Sequence, residues 1–254
     1  MDNELPASLA AAWGLRTRPG KGPKPGLTLD RIVAAGVRVA ATEGLGAVSM
    51  GRVATELGAA TMSLYRYVTA KNELLDLMVD AAIGPPPDAP PGEDWREGLL
   101  YFARAHLGIL RRQPWIVRVP ITTPPLTPNQ VAWMDFGLAT LAGTSLEEHE
   151  KLSTIMTLSG ITRNWALLTA DITAAAQASG TTADEAMLTY GQLLGKLVDP
   201  LRFPAIGRLL ATGILDMPDE VPDTDFEFGL ARVLDGIATL IDRRASGTRA
   251  PNCQ

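Results

Sequence analysis

The stretch SMGRVATELGAATMSLYRYVTAK, residues 49–71, decides how the chain is read. Ser49 is suited to cap a helix; Val53, Ala54 and Leu57 then share one face, and Gly58 ends the segment. Roughly three residues later a second short helix begins, with Leu64, Tyr65 and Val68 on its pattern; a glycine-led turn of that length is what a helix-turn-helix requires. The N-terminal residues of such a second helix reach base edges when it enters a major groove. Thr61 and Ser63 can donate to or accept from bases, and Met62 can touch a thymine methyl. Tyr65 and Tyr67 are placed to bond phosphate oxygens, and Lys71 brings a charge at the next helix start. Ser49, Arg52 and Arg66 complete the candidate DNA-contacting set in this stretch.

Upstream, residues 1–27 open with a possible short helix around Leu9–Trp13 and continue as RTRPGKGPKPGL, whose prolines and glycines rule out regular structure. Arg16, Arg18, Lys21 and Lys24 have no acid beside them there. They describe a flexible basic arm that can follow phosphates or enter a minor groove. Thr28 then caps a helix with Asp30 in its first turn and Ile32, Val33, Gly36, Val37 and Ala40 on one face. Gly44 and Gly46 end it. A further helix runs from Lys71 to about Ile83. The head therefore spans residues 28–83.

Downstream, GPPPDAPPG at 84–92 cannot continue a helix, and residues 84–93 are read as a linker loop. The body, 94–247, is again helical. Leu99, Phe102, Ala103, Leu107 and Leu110 share a face, and Thr127 before Pro128 marks a helix start. Ser145-x-x-Glu148, Thr182-x-x-Glu185 and Thr224-x-x-Glu227 each match a capping box. No segment alternates with period two, so the expected fold is all-α.

Composition narrows the function. The net charge is −5, yet residues 14–75 carry nine Lys/Arg against four acids, leaving the remainder at −10. That asymmetry suits a small polyanion-binding head on an acidic body. No run approaches the length of a membrane span, and the acidic N-terminus does not read as a secretory signal. The single cysteine, Cys253, excludes an internal disulfide or a cysteine-rich metal site. A cytoplasmic location follows as the expectation.

On Ile32–Gly44, Ser49–Gly58, the block Leu64-Tyr65-Arg66-Tyr67-Val68, and Lys71 followed by Glu73-Leu74-Leu75, the head resembles the tetracycline-repressor (TetR/AcrR) family of bacterial transcriptional regulators. The body is similar, more loosely, to the ligand-binding domain of the tetracycline-repressor branch. The resemblance implies a ligand-responsive repressor, a double-stranded operator, a homodimer formed by long helices near 146–178 and 226–244, and a small-molecule pocket in each body. Candidate lining residues are Phe102, His106, Trp133, Phe136, Met156 and Asn164, which suit an apolar or aromatic effector. A Met or aromatic at helical spacing is more often core than ligand contact, and His106 is read as a satisfied core or cavity histidine before a metal ligand. The resemblance does not extend to metal chemistry: the magnesium-binding histidine of the family's namesake aligns with Pro120, so no metal or cofactor is expected. One departure in the head is Gly51, where relatives often place a side chain that reaches DNA.

Two other classes compete. An all-helical enzyme lacks support, because only two histidines are present and no phosphate loop, metal-spaced cluster or nucleophile motif appears. A non-DNA-binding interaction module with the same fold is separated from a regulator by salt-sensitive binding to a pseudo-palindromic site.

Overall fold

The computed structural model describes residues 5–15, 26–88, 94–217 and 223–246, and among these all regular structure is helical. The α-helices are α1 (Ala7–Ala12), α2 (Leu29–Glu43), α3 (Met50–Glu56), α4 (Thr61–Leu64), α5 (Lys71–Ile83), α6 (Trp95–Arg112), α7 (Pro128–Thr140), α8 (Glu148–Ala178), α9 (Ala183–Leu197), α10 (Pro204–Ala211) and α11 (Thr224–Ala245). Short 3-10 turns lie at Leu45–Ala47, Ile116–Arg118 and Ile214–Asp216. The expected all-α fold is observed. The chain packs as two units, residues 1–166 with 238–254, and residues 167–237.

In the first unit the helix boundaries follow local chemistry. Thr28 caps α2 by accepting from Arg31 N, and Ser49 caps α3 by accepting from Arg52 N. Gly44 and Gly58 turn the chain with φ of +83° and +63°, the left-handed region where glycine carries no steric penalty. Ile32, Val39, Val53, Leu64, Val68, Leu74 and Met78 are buried and form the core of the head. Gly36 brings α2 close to α5: a Cβ there would lie 2.6 Å from Met78 Sδ. The head is thus a tight three-way packing of α2, α5 and the α3–α4 pair.

The same unit joins α5 to α7 through one carboxylate. Asp80, buried on α5, accepts from Asn129 N at 2.8 Å and from Gln130 N at 3.0 Å, the two amides just inside the α7 start. Asn129 Nδ2 donates back to Asp80 O and Oδ2. Thr127 sits at the N-cap position as the sequence suggests, but its own side chain makes no capping bond. A residue 49 positions earlier supplies the cap instead. Nearby, Trp133 Nε1 donates to Gly84 O at 3.0 Å.

Two helix starts differ from expectation. Ser145 does not cap α8; its hydroxyl donates to Ile241 O, and Glu150 accepts from Glu147 N, so a capping interaction forms two residues later. Arg244 pairs with both Glu147 and Glu150 and draws that turn toward the end of α11, which explains the displacement. α11 begins at Thr224 itself, which therefore lies inside the helix instead of ahead of it. Thr182–Glu185, in the second unit, forms the full reciprocal box. That unit also packs α9 onto the 214–216 turn at Gly191, where a Cβ would meet Leu215 O at 2.6 Å. Phe226, Leu230 and Leu234, spaced by four, are the buried stripe of α11.

A helix-end amide pair held by a buried carboxylate is worth more than a surface cap. Asp80→Ala is expected to cost about 2 kcal/mol, lowering Tm by roughly 4–8 °C, with Asp80→Asn intermediate. Thermal unfolding followed by circular dichroism checks this. An unchanged Tm for Asp80→Ala would show that the amides find other partners.

Candidate nucleic-acid interface and aromatic cluster

The recognition segment is built from short local bonds. α4 covers Thr61–Leu64, and Tyr67 N and Val68 N both donate to Leu64 O, continuing the turn beyond the helix. Leu64 and Val68 are buried, which fixes the opposite face outward. Met62 is 75% exposed, Tyr65 and Arg66 are exposed, and Thr61 and Ser63 are half-buried beside them. Ala60 holds the N-cap position, so Thr61 and Ser63 are not spent on capping. Lys71, at the first position of α5, is exposed. Met62, Tyr65, Arg66 and Lys71 are thus left to solvent, with Thr61 and Ser63 partly so.

Three sequence-based candidates have other commitments. Ser49 is the α3 cap. Arg52 is held by Glu43 and Glu56, and the Glu43 carboxylate beside it raises its pKa. Its guanidinium is thus paired within the head in the absence of DNA. Tyr67 is half-buried and its hydroxyl donates to Leu27 O at 2.9 Å. While that bond stands, the hydroxyl hydrogen is not free for a phosphate, which only accepts. Gly51 faces open space, and a Cβ there would meet nothing within 4 Å. Arg16, Arg18, Lys21 and Lys24 lie outside the described residues.

The short helix expected around Leu9–Trp13 is found at Ala7–Ala12, and this α1 is anchored on both sides of the unit, which the sequence did not indicate. Ser8, buried, donates to Glu73 on α5, and Trp13 Nε1 donates to Leu126 O at 2.8 Å. Hydrogen bonds from Ser8 and Thr69 keep the Glu73 carboxyl below its ordinary pKa despite partial burial.

The body of this unit holds an aromatic cluster. α6 supplies Phe102 and His106, and α7 supplies Trp133 and Phe136; their ring centroids lie 5.6–6.5 Å apart. Tyr101 extends it, 6.4 Å from Phe136. Edge-to-face and offset contacts at such separations are favourable beyond the area they bury. Met156 and Asn164 do not join. Both are exposed on α8, because the inward face of that helix is taken by Ile155, Leu158, Thr162 and Ala166. Of the six expected lining residues, four come together.

His106 is not a satisfied core histidine. Its Nδ1 is buried without a hydrogen-bond partner. Burial first, and the Arg163 charge second, push its pKa down to about 4, so the ring is neutral at physiological pH. Arg163 comes from α8 and escaped the sequence reading. Its Nη2 donates to Val117 O at 2.8 Å and Val119 O at 2.7 Å, and Nη1 reaches Ile116 O at 3.4 Å. The one sequence signal was an arginine in an apolar helix with no acid three or four residues away. Val119 in turn lines a cleft of about 60 Å³ with Pro120 and Thr122, opposite Asn72, Leu75 and Asp76 of α5. Desolvation, reinforced by Glu73, raises the Asp76 pKa.

The His106 shift has a measurable consequence. An unfolded histidine protonates near 6.5, whereas the folded ring stays neutral down to about 4. The unfolded state therefore binds the extra proton in this window, and stability falls as pH drops through it. By pH 5 the wild type should lose roughly 2 kcal/mol that His106→Asn does not lose. Denaturant midpoints at pH 7.5 and pH 5 for the two proteins test this; parallel pH dependences would rule it out.

Comparison with known proteins matches this geometry. Residues 32–78 fit the model for bacterial regulatory proteins of the tetR family, and residues 86–241 fit the tetracyclin repressor-like C-terminal domain. The chain is 38% identical over 252 residues to the HTH-type transcriptional repressor DrrR1 of Streptomyces coeruleorubidus, covering 98% of this chain and 90% of that one. Among solved structures it is similar to apo ActR of Streptomyces coelicolor, with TM-score 0.70, 26% identity, and coverage of 89% and 100%. ActR in complex with actinorhodin gives TM-score 0.69, 27% identity, and coverage of 86% and 98%. These proteins are regulators of transcription and not enzymes. With both halves matched in order around a helix-turn-helix head, the chain belongs to the tetracycline-repressor family of DNA-binding transcriptional regulators.

Proposed function

We propose that the chain is a homodimeric, cytoplasmic repressor that grips a pseudo-palindromic operator and releases it when a small aromatic molecule binds against the Phe102–His106–Trp133–Phe136 cluster. The observation that carries the effector reading is His106: a buried ring nitrogen with no partner, set within apolar rings. Native proteins rarely leave such an atom unpaired, and a ligand group would satisfy it. The relative ActR has been solved with actinorhodin and with (S)-DNPA bound, which supports a small-molecule effector here. Among the described residues no helix is long and apolar enough to cross a membrane, in keeping with action on DNA in the cytoplasm.

In this reading Thr61, Met62 and Ser63 meet base edges, while Tyr65, Arg66 and Lys71 meet phosphates. The basic residues Arg16, Arg18, Lys21 and Lys24 are assigned to the operator backbone or minor groove. Dimerisation is assigned to α8 with α11. Leu152, Met156 and Leu168 recur at multiples of four on α8 and stay exposed, as does Phe228 on α11. A second copy covering them would form a four-helix bundle. The coupling route runs from Arg163 through the 116–119 carbonyls to the cleft against α5. An effector that favours a state with the two recognition segments off the roughly 34–36 Å groove repeat would release the operator.

Lys71→Ala should weaken binding to all sequences alike and reduce the salt slope by about one unit, whereas Ser63→Ala should relax base preference. Operator titrations at several salt concentrations distinguish the two, and a changed sequence preference in Lys71→Ala would contradict its assignment to phosphate. Met156→Glu should give a monomer by light scattering and lose operator affinity at least tenfold. A variant that stays dimeric would remove α8 from the interface.

A further inference from the structure

Between residues 183 and 217 of the second unit, which hold α9 and α10, Gly191 is the one buried residue. Yet ten exposed large apolar residues fall in that segment. On α9, Tyr190 and Leu193 are each 51% exposed and Leu197 79%, and Ile206 and Leu209 on α10 are exposed as well. At about half exposure and roughly 200 Å² per side chain, the ten offer on the order of 1,000 Å² to solvent. A standard interface takes about 800 Å² from each partner, whereas the largest apolar patch of a monomer is roughly 300–600 Å². The segment exposes what a stable association buries.

The apolar positions of α9 are also ordered. Ala186, Tyr190, Leu193 and Leu197 recur at spacings of four, three and four, the pattern of a coiled-coil seam. At about 100° per residue the seam lies roughly 130° around the helix from Gly191, where a Cβ would meet Leu215. Packing within the unit thus uses another side of α9 and leaves most of the seam to solvent.

Charge points to what covers it. Asp184 and Glu185 stand in the first turn of α9 and Lys196 in the last. A second α9 running antiparallel brings each lysine toward the other's acidic turn, whereas a parallel one sets like against like. Glu185 and Lys196 also share one flank of the seam, and equal flanks face each other in an antiparallel pair. An anionic membrane would ask for a basic polar face, which α9 lacks. Leu168 and Phe228, exposed and assigned above to the dimer, belong to the same compact unit as α9. One body therefore carries both the face already given to a second copy and the seam.

We infer that α9 is a further self-pairing surface, its seam lying antiparallel on the α9 of a second copy. Tyr190 then meets Leu193 of the partner subunit, and Leu197 meets Ala186 of the partner subunit, large side chain against small. The contact is isologous, as a two-fold dimer requires. This inference rests on the homodimer proposed above and extends it beyond α8 and α11.

Cross-linking tests both the partner and the register. Cys253→Ser first removes the single native thiol. In that background the full chain carrying Ala186→Cys and Leu197→Cys, treated with a short bis-maleimide, should run as a covalent dimer on a denaturing gel. Either cysteine alone should not cross-link, because two copies of one site lie about 16 Å apart along an antiparallel pair. Leu193→Glu with Leu197→Glu, at positions already open to solvent in the single chain, should keep its helix content by circular dichroism. Its dimer dissociation constant should rise at least tenfold in sedimentation. A monomeric wild type overturns the homodimer and this inference together. A dimer that the paired cysteines fail to cross-link, or that one cysteine alone cross-links, overturns the α9 seam and leaves α8 and α11 standing. An unchanged dissociation constant for the paired glutamates overturns the seam likewise.

Discussion

A buried carboxylate on α5 ends the N-terminus of α7, and this bond is the hinge pin of the first unit. Asp80 takes two α7 amides that would otherwise be orphaned, and Asn129 answers with its side-chain amide. Helix N-termini attract anions because their first amides lack partners and their dipole is positive there. Here that generic preference is met across 49 residues, so the helix that closes the DNA-binding head and the helix that carries Trp133 and Phe136 are fastened end to side. Trp133 bonding to Gly84 O adds a second tie at the same place.

The head and the aromatic cluster use opposite electrostatic strategies. On the head, charges are left in solvent or paired locally: Lys71 and Arg66 stay exposed, while Arg52 is tied down by two acids. An exposed cation keeps its full attraction for phosphate and remains sensitive to salt. In the body, burial keeps His106 neutral, and the Arg163 guanidinium is met by main-chain carbonyls of the 116–119 segment.

Much of the fold was legible because helical signals act within a few residues. Thr28 and Ser49 cap the helices that follow them, and Thr182 with Glu185 forms the full box. The aromatic cluster was half legible, since Phe102 and His106 share a face at a spacing of four, and Trp133 and Phe136 at three. Met156 and Asn164 were misplaced because the 31-residue α8 has two apolar faces, and periodicity does not say which one turns inward. Ser145 carries a proper capping signal, yet Arg244 reorganises that turn from the far end of the chain.

The sequence by itself determined the helical class, the helix-turn-helix and the outward row from Thr61 to Lys71, because each depends on neighbours no more than one or two turns away. Tertiary structure alone decided which of those groups remain free. Arg52 became a structural ion pair, Tyr67 a donor to Leu27, Asp80 a cap for a distant helix, and Arg163 a clamp on the 116–119 segment. In each case the deciding partner is remote in sequence or lies on another element. Apart from Glu56, four residues after Arg52 on the same helix, no local pattern encodes these partners, because packing sets the few ångströms over which a hydrogen bond or ion pair has meaning.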